Sequence, residues 1–127
     1  MKRGTLERLN ADRAEKRSVA LVTETASGAQ WLVYAEAVSP DAGLAEDVAV
    51  RARAALADDR SAILDADGKP YFIQVHNPPL RLFIVGAVHI TQALARMASI
   101  AGYAVTVIDP RRAFAEPERF PGLEVSS

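Results

Sequence analysis

Leu80-Arg81-Leu82-Phe83-Ile84-Val85-Gly86-Ala87-Val88-His89 opens a stretch that closes at Val105-Thr106-Val107-Ile108-Asp109-Pro110. Residues 80–85 form a nearly continuous apolar run, the pattern of a strand buried on both faces of a parallel sheet. The run ends at Gly86. From His89 onward, Ile90, Leu94, Met97, Ala98 and Ala101 repeat on one helical face. Gly102 stands where a helix C-cap belongs. Residues 103–108 form a second strand of the buried type, closed by Asp109-Pro110. A strand, a helix and a second strand of this kind make a βαβ unit with a right-handed crossover.

Upstream, Asn77-Pro78-Pro79 removes two backbone donors and stiffens the chain, as suits a connector. Before it the pattern is mixed. Residues 5–16 read as a surface helix carrying Leu6, Leu9 and Ala14. Residues 17–25 read as a strand ending in the turn Ala26-Ser27-Gly28, and residues 30–38 as its antiparallel return. Ser39-Pro40-Asp41 offers a helix start, followed by an apolar stripe through Leu44, Val48, Ala52, Ala55 and Leu56. Residues 61–64 and 70–75 flank Asp65-Ala66-Asp67-Gly68, a hairpin signal. The fold expected is therefore α/β. An αββαββ lobe over residues 1–77 is joined by the prolines to a truncated Rossmann-like βαβ unit over residues 78–127.

Composition excludes several classes. The chain has 127 residues with 15 basic and 16 acidic side chains, a net charge of −1. A nucleic-acid module usually carries a basic surplus, so none is expected. Without cysteine there is no disulfide, thiolate-bound metal or thiol nucleophile. No apolar run approaches the roughly 20 residues of a membrane helix, and a cytoplasmic protein is expected. The two histidines, His76 and His89, are poorly spaced for a metal site, and the acids Asp58, Asp59, Asp65 and Asp67 lack the other ligands of a calcium loop. No catalytic constellation is visible.

The βαβ unit has the spacing of a dinucleotide site. Gly86 ends the first strand, a helix follows, and Asp109 ends the second strand where a carboxylate can accept ribose hydroxyls. Only the first of the three fingerprint glycines is present. Val88 occupies the place of close approach to pyrophosphate, where a β-branched side chain obstructs the ligand and resists positive φ. His89 could bond a phosphate or a pterin carbonyl, or merely cap the turn. Arg111, Arg112 and Arg119 could engage a phosphate, or pair at the surface with Glu116 and Glu118.

Tyr71-Phe72-Ile73, residues 78–87 with His89, Gln92-Ala93-Leu94-Ala95 and Gly102-Tyr103 form one half of a wider pattern. Residues 105–111, Phe114-Ala115 and Arg119-Phe120-Pro121-Gly122 form the other. Together they resemble the XdhC/CoxI family of xanthine dehydrogenase accessory proteins. The resemblance implies a chaperone that binds molybdopterin cofactor and inserts it into a molybdenum hydroxylase apoenzyme. By position it assigns Gly86, Ala87, Val88 and His89 to the phosphate-side turn, and Asp109 and Arg111 to the end of the second strand. Val88 replaces the family's usual second glycine, and nothing matches its Gly-Gly-Cys segment. Two other readings stay open: an NAD(P)-binding oxidoreductase fragment, and a non-catalytic oligomerisation module. Two parallel strands and one helix leave apolar sheet surface uncovered, so a homo-oligomer, foremost a dimer, is expected.

Overall fold

Alternation along the first strands explains why they are buried on both sides. In the computed structural model, which describes Met1–Ser127, the chain forms two units, Met1–Pro78 and Pro79–Ser127. The first holds α1 (Arg3–Ala14), β1 (Val19–Glu24), β2 (Gln30–Val33), β3 (Val38–Ser39), α2 (Glu46–Asp58), β4 (Ala62–Ala66) and β5 (Lys69–His76). Its antiparallel sheet runs β3-β2-β1-β5-β4. Ala20, Val22, Trp31, Val33 and Ile73 face α2 and pack on Val48, Ala52 and Ala55. Val19, Leu21, Leu32 and Tyr34 point the other way and meet Leu9 of α1. Helix α1 also buries Asp12, whose carboxylate accepts the Tyr34 hydroxyl at 2.5 Å.

Three boundaries differ from those expected. The helix after the second strand does not start at Ser39-Pro40-Asp41. Ser39 pairs with Leu32 in β3, the Ser39–Pro40 peptide is cis, and α2 begins six residues beyond Pro40 with Glu46 and Asp47 in its first turn. Acids there complement the positive helix end. The return strand stops at Val33, because Tyr34 N–H turns back to the Ala37 carbonyl and starts the short β3. The hairpin strand extends to Ala66, leaving Asp67 and Gly68 as the turn. Both have positive φ, 50° and 75°, as a type I′ turn requires.

Residues 77–80 carry no regular structure. The second unit holds β6 (Arg81–Val85), α3 (His89–Ile100), β7 (Ala104–Ile108), a 3-10 turn (Pro117–Arg119) and β8 (Glu124–Ser126). All strands are parallel in the order β6-β7-β8, a Rossmann-like sheet with one strand more than the sequence pattern indicated. Its core joins Ala87, Ala95, Ala98, Val105, Val107 and Phe120. Gly102, at φ 99°, ends α3: its N–H bonds Ser99 O while Tyr103 N–H bonds Ala98 O, a Schellman closure.

Two burial expectations are corrected here. Strand β6 is covered on one face only: Leu82 and Ile84 turn inward, whereas Phe83 and Val85 are 54% and 77% exposed. Helix α3 presents Thr91, Ala95 and Ala98 to the sheet. Of the predicted stripe only Ala98 is buried; Ile90, Leu94 and Met97 are exposed. Small residues permit close helix–sheet approach, so the inner face is set by size rather than by hydrophobicity alone. No helix is long and apolar enough to cross a membrane.

Candidate ligand-binding turn

The connection from β6 to α3 is shaped by Gly86. Its φ of 107° lies where side-chained residues rarely go, although a Cβ there would meet nothing within 4 Å. Gly86 N–H bonds Ile108 O at 2.7 Å, and the Thr91 hydroxyl donates to Gly86 O at 2.6 Å. The turn is thus fastened to β7 behind it and to the first turn of α3 ahead.

Asp109, at the end of β7, completes the fastening. It has 0% exposure. Its Oδ2 accepts the Ala87 N–H at 2.8 Å and Arg111 Nη2 at 2.8 Å. Its Oδ1 accepts Arg111 N–H at 2.9 Å and Nε at 3.0 Å. The Arg111 guanidinium, these two backbone N–H groups and the arginine's charge hold the Asp109 carboxyl well below the usual carboxylate range, outweighing desolvation. The same bonds push Arg111 upward. The carboxylate expected to accept ribose hydroxyls is therefore turned inward, with both oxygens engaged by the protein.

Arg119 grips the turn from the other side. Its Nη1 donates to Ala87 O and Phe114 O, each at 2.7 Å, while Arg119 O accepts Gln92 Nε2 at 3.1 Å. Ala87 is consequently held at both its N–H and its carbonyl. Arg111 lies 4.2 Å from the Phe114 ring centroid, with its side chain 55% exposed. One face of this guanidinium thus remains open to solvent while its other side neutralises Asp109.

Val88 does not take the positive φ that a glycine position would require. It is the N-cap of α3 with φ −85° and ψ 172°, an extended conformation natural to a β-branched residue, so no positive φ is demanded. Its side chain is 41% exposed and makes no capping bond. His89 follows, exposed, as the first helical residue. Thr91 N–H bonds Val88 O at 3.0 Å, whereas the N–H groups of the first two helical residues lie ahead of any i−4 acceptor and carry the positive helix end. The turn can therefore receive an anion, with Arg111 beside it as an exposed cation.

The structure brings Gly86, Ala87, Val88, His89, Asp109 and Arg111 into one locus. His76 lies in β5 of the other unit, and no cluster of three potential metal-ligating side chains exists. Thr91 and Gln92 were missed from sequence; their only signal was a hydroxyl and an amide in the first turn after the glycine.

Residues 82–126 match the XdhC Rossmann domain. This unit is similar to that domain over its whole strand–helix–strand core. The uncharacterized protein YqeB of Escherichia coli K12 is 40% identical over 50 residues, 39% of this chain and 9% of YqeB. A solved structure described as a xanthine dehydrogenase from Bacillus halodurans superposes with a TM-score of 0.68 at 23% identity, covering 98% of this chain and 38% of that one. That likeness concerns the fold, and it includes the N-terminal unit. The chain thus spans well under two thirds of either longer protein.

Proposed function

We propose that the chain is an accessory protein in the maturation of molybdenum hydroxylases. It binds molybdopterin cofactor, protects it and passes it to a xanthine dehydrogenase-like apoenzyme in the cytoplasm, and it works as a homodimer. The observation that carries this reading is the doubly held turn. Ala87, fixed by Asp109 and Arg119, rigidly presents the N-terminus of α3, and a fixed array of donors suits the anionic phosphate of the cofactor. Gly86, Ala87, Val88 and His89 would hold that phosphate. Arg111 would add charge, and Asp109 would act as the frame that orients Arg111. When bound, the cofactor supplies the redox chemistry of the recipient enzyme; this chain contributes binding and shelter.

An NAD(P) site on the same turn has less support, because Asp109 has no free oxygen for a ribose diol. Calorimetric titration of the purified protein with molybdopterin cofactor, NAD(H) and NADP(H) separates the readings. Cofactor binding that falls about tenfold or more in His89→Ala or Arg111→Ala supports the proposal. Binding of the nicotinamide nucleotides alone would replace it with the oxidoreductase reading. Absence of all binding at sub-millimolar concentration leaves an interaction module.

A further inference from the structure

We propose that Arg111, backed by the ring of Phe114, is a flat shelf for the planar heteroaromatic ring of a ligand whose phosphate lies at the start of α3. The proposal deepens the reading given above and rests on it for the phosphate. A guanidinium is planar: its faces stack on aromatic rings and its edges donate hydrogen bonds. Nε and Nη2 of Arg111 both donate to Asp109, at 3.0 and 2.8 Å, a fork that fixes the plane of the group. Nη1 is left without an acceptor in the chain.

One face of that plane is covered by Phe114, whose ring centroid lies 4.2 Å from Arg111 Cζ. The ring is itself held in place. Phe114 N–H donates to Arg111 O at 2.9 Å, and Phe114 O accepts Arg119 Nη1 at 2.7 Å. Phe120 is buried in the core at 2% exposure, whereas Phe114 stays 38% exposed. Core packing therefore does not account for Phe114; its ring is spent on the guanidinium. A second ring laid on the opposite face of Arg111 completes a ring–guanidinium–ring stack.

The shelf lies against the turn. Asp109 Oδ2 accepts both Arg111 Nη2 and the Ala87 N–H, each at 2.8 Å, so guanidinium and turn meet on one oxygen. His89, the first residue of α3, is two residues past Ala87, within about 7 Å along the chain. A phosphate-bearing arm of a few bonds spans that distance, and Nη1 is placed to donate to it. The ligand class is a fused heteroaromatic ring with a short phosphorylated arm, a chemistry that pterin phosphates and purine nucleotides share. Arg111 touches the ring in this arrangement. Phe114 is a positioning residue, holding the plane on which the ring stacks.

The test titrates the full chain with 6-hydroxymethylpterin phosphate, read by the polarisation of its own fluorescence. Guanosine monophosphate and the ringless glycerol 3-phosphate serve as competitors. The pterin phosphate should bind the parent about fivefold or more tightly than glycerol 3-phosphate. Phe114→Leu, with an unchanged far-ultraviolet spectrum, should lose most of that advantage and keep its affinity for glycerol 3-phosphate. Phe114→Tyr, which keeps the ring, should retain the advantage. A purely structural role for Phe114 would weaken both esters alike. Equal affinity of the parent for the two esters, an equal loss of both in Phe114→Leu, or no loss of either overturns the shelf and leaves the turn standing. Guanosine monophosphate binding as tightly as the pterin phosphate supports a shelf for fused rings in general, and weaker binding supports one confined to pterins. A parent that binds no phosphate ester overturns the shelf and the turn together.

Discussion

Asp109 shows how one side chain can shape a turn by bonding its backbone. Its carboxylate is buried and satisfied four times, which makes it an ion pair whose breakage strands Arg111 and the Ala87 N–H. Asp109→Ala should lower the Tm of the second unit by roughly 5–10 °C, whereas Arg112→Ala, at an exposed position, should leave it unchanged. The folded carboxyl lies below its ordinary value, so its contribution is complete above the unfolded value of 3.8 and declines as pH falls toward the folded one. His76 behaves differently. Burial, then the charge of Arg13, lowers its pKa from 6.5, and its Nε2 is buried without a partner. The unfolded state therefore binds the proton more readily, and stability present above about pH 6.5 is lost as pH falls below it. Thermal melts at pH 7.5 and 5 should show a drop of a few degrees in the first unit that His76→Gln abolishes; an equal drop in the variant would assign the effect elsewhere.

At the scale of elements, periodic patterns were legible and orientation was not. Both strands of the βαβ unit, its helix and the Gly102 closure follow from residues 80–109, because long apolar repeats and a C-cap glycine act locally. Strand β8 was not legible: Glu124-Val125-Ser126 is too short for a period, and only pairing with β7 makes it a strand. The facing of α3 was misread because its largest apolar residues form the more obvious stripe, while tight packing selects Thr91, Ala95 and Ala98. The proximity of Gly86, His89, Asp109 and Arg111 was legible, since they lie just beyond the C-terminal ends of β6 and β7. The inward turn of Asp109 was not, as it depends on Ala87 being brought beside β7. The orientation of α3 predicts opposite outcomes on its two faces. Ala95→Leu, at 0% exposure, should cost about 1–3 kcal/mol by overpacking. Ile100→Ala, 81% exposed, should fall within about 0.5 kcal/mol of the parent in urea unfolding.

Across the whole molecule the two units differ in how completely they cover themselves. Met1–Pro78 has a helix on each face of its central strands and separate clusters of buried residues on both. Pro79–Ser127 is roughly fifty residues, with α3 on one face of its sheet and Phe83 and Val85 bare on the other. Domains near or below about 60 residues bury a smaller fraction of their chain surface than larger ones and are marginal alone. The first unit, expressed by itself, should therefore unfold cooperatively with a Tm independent of concentration. The second should be less stable, because α3 covers one face of its sheet and leaves Phe83 and Val85 exposed on the other. Circular dichroism melts of residues 1–78 and 79–127 over a hundredfold range of concentration would distinguish the two. A second unit with a high, concentration-independent Tm would mean that one helix and three strands suffice, and that its bare apolar surface serves something other than stability.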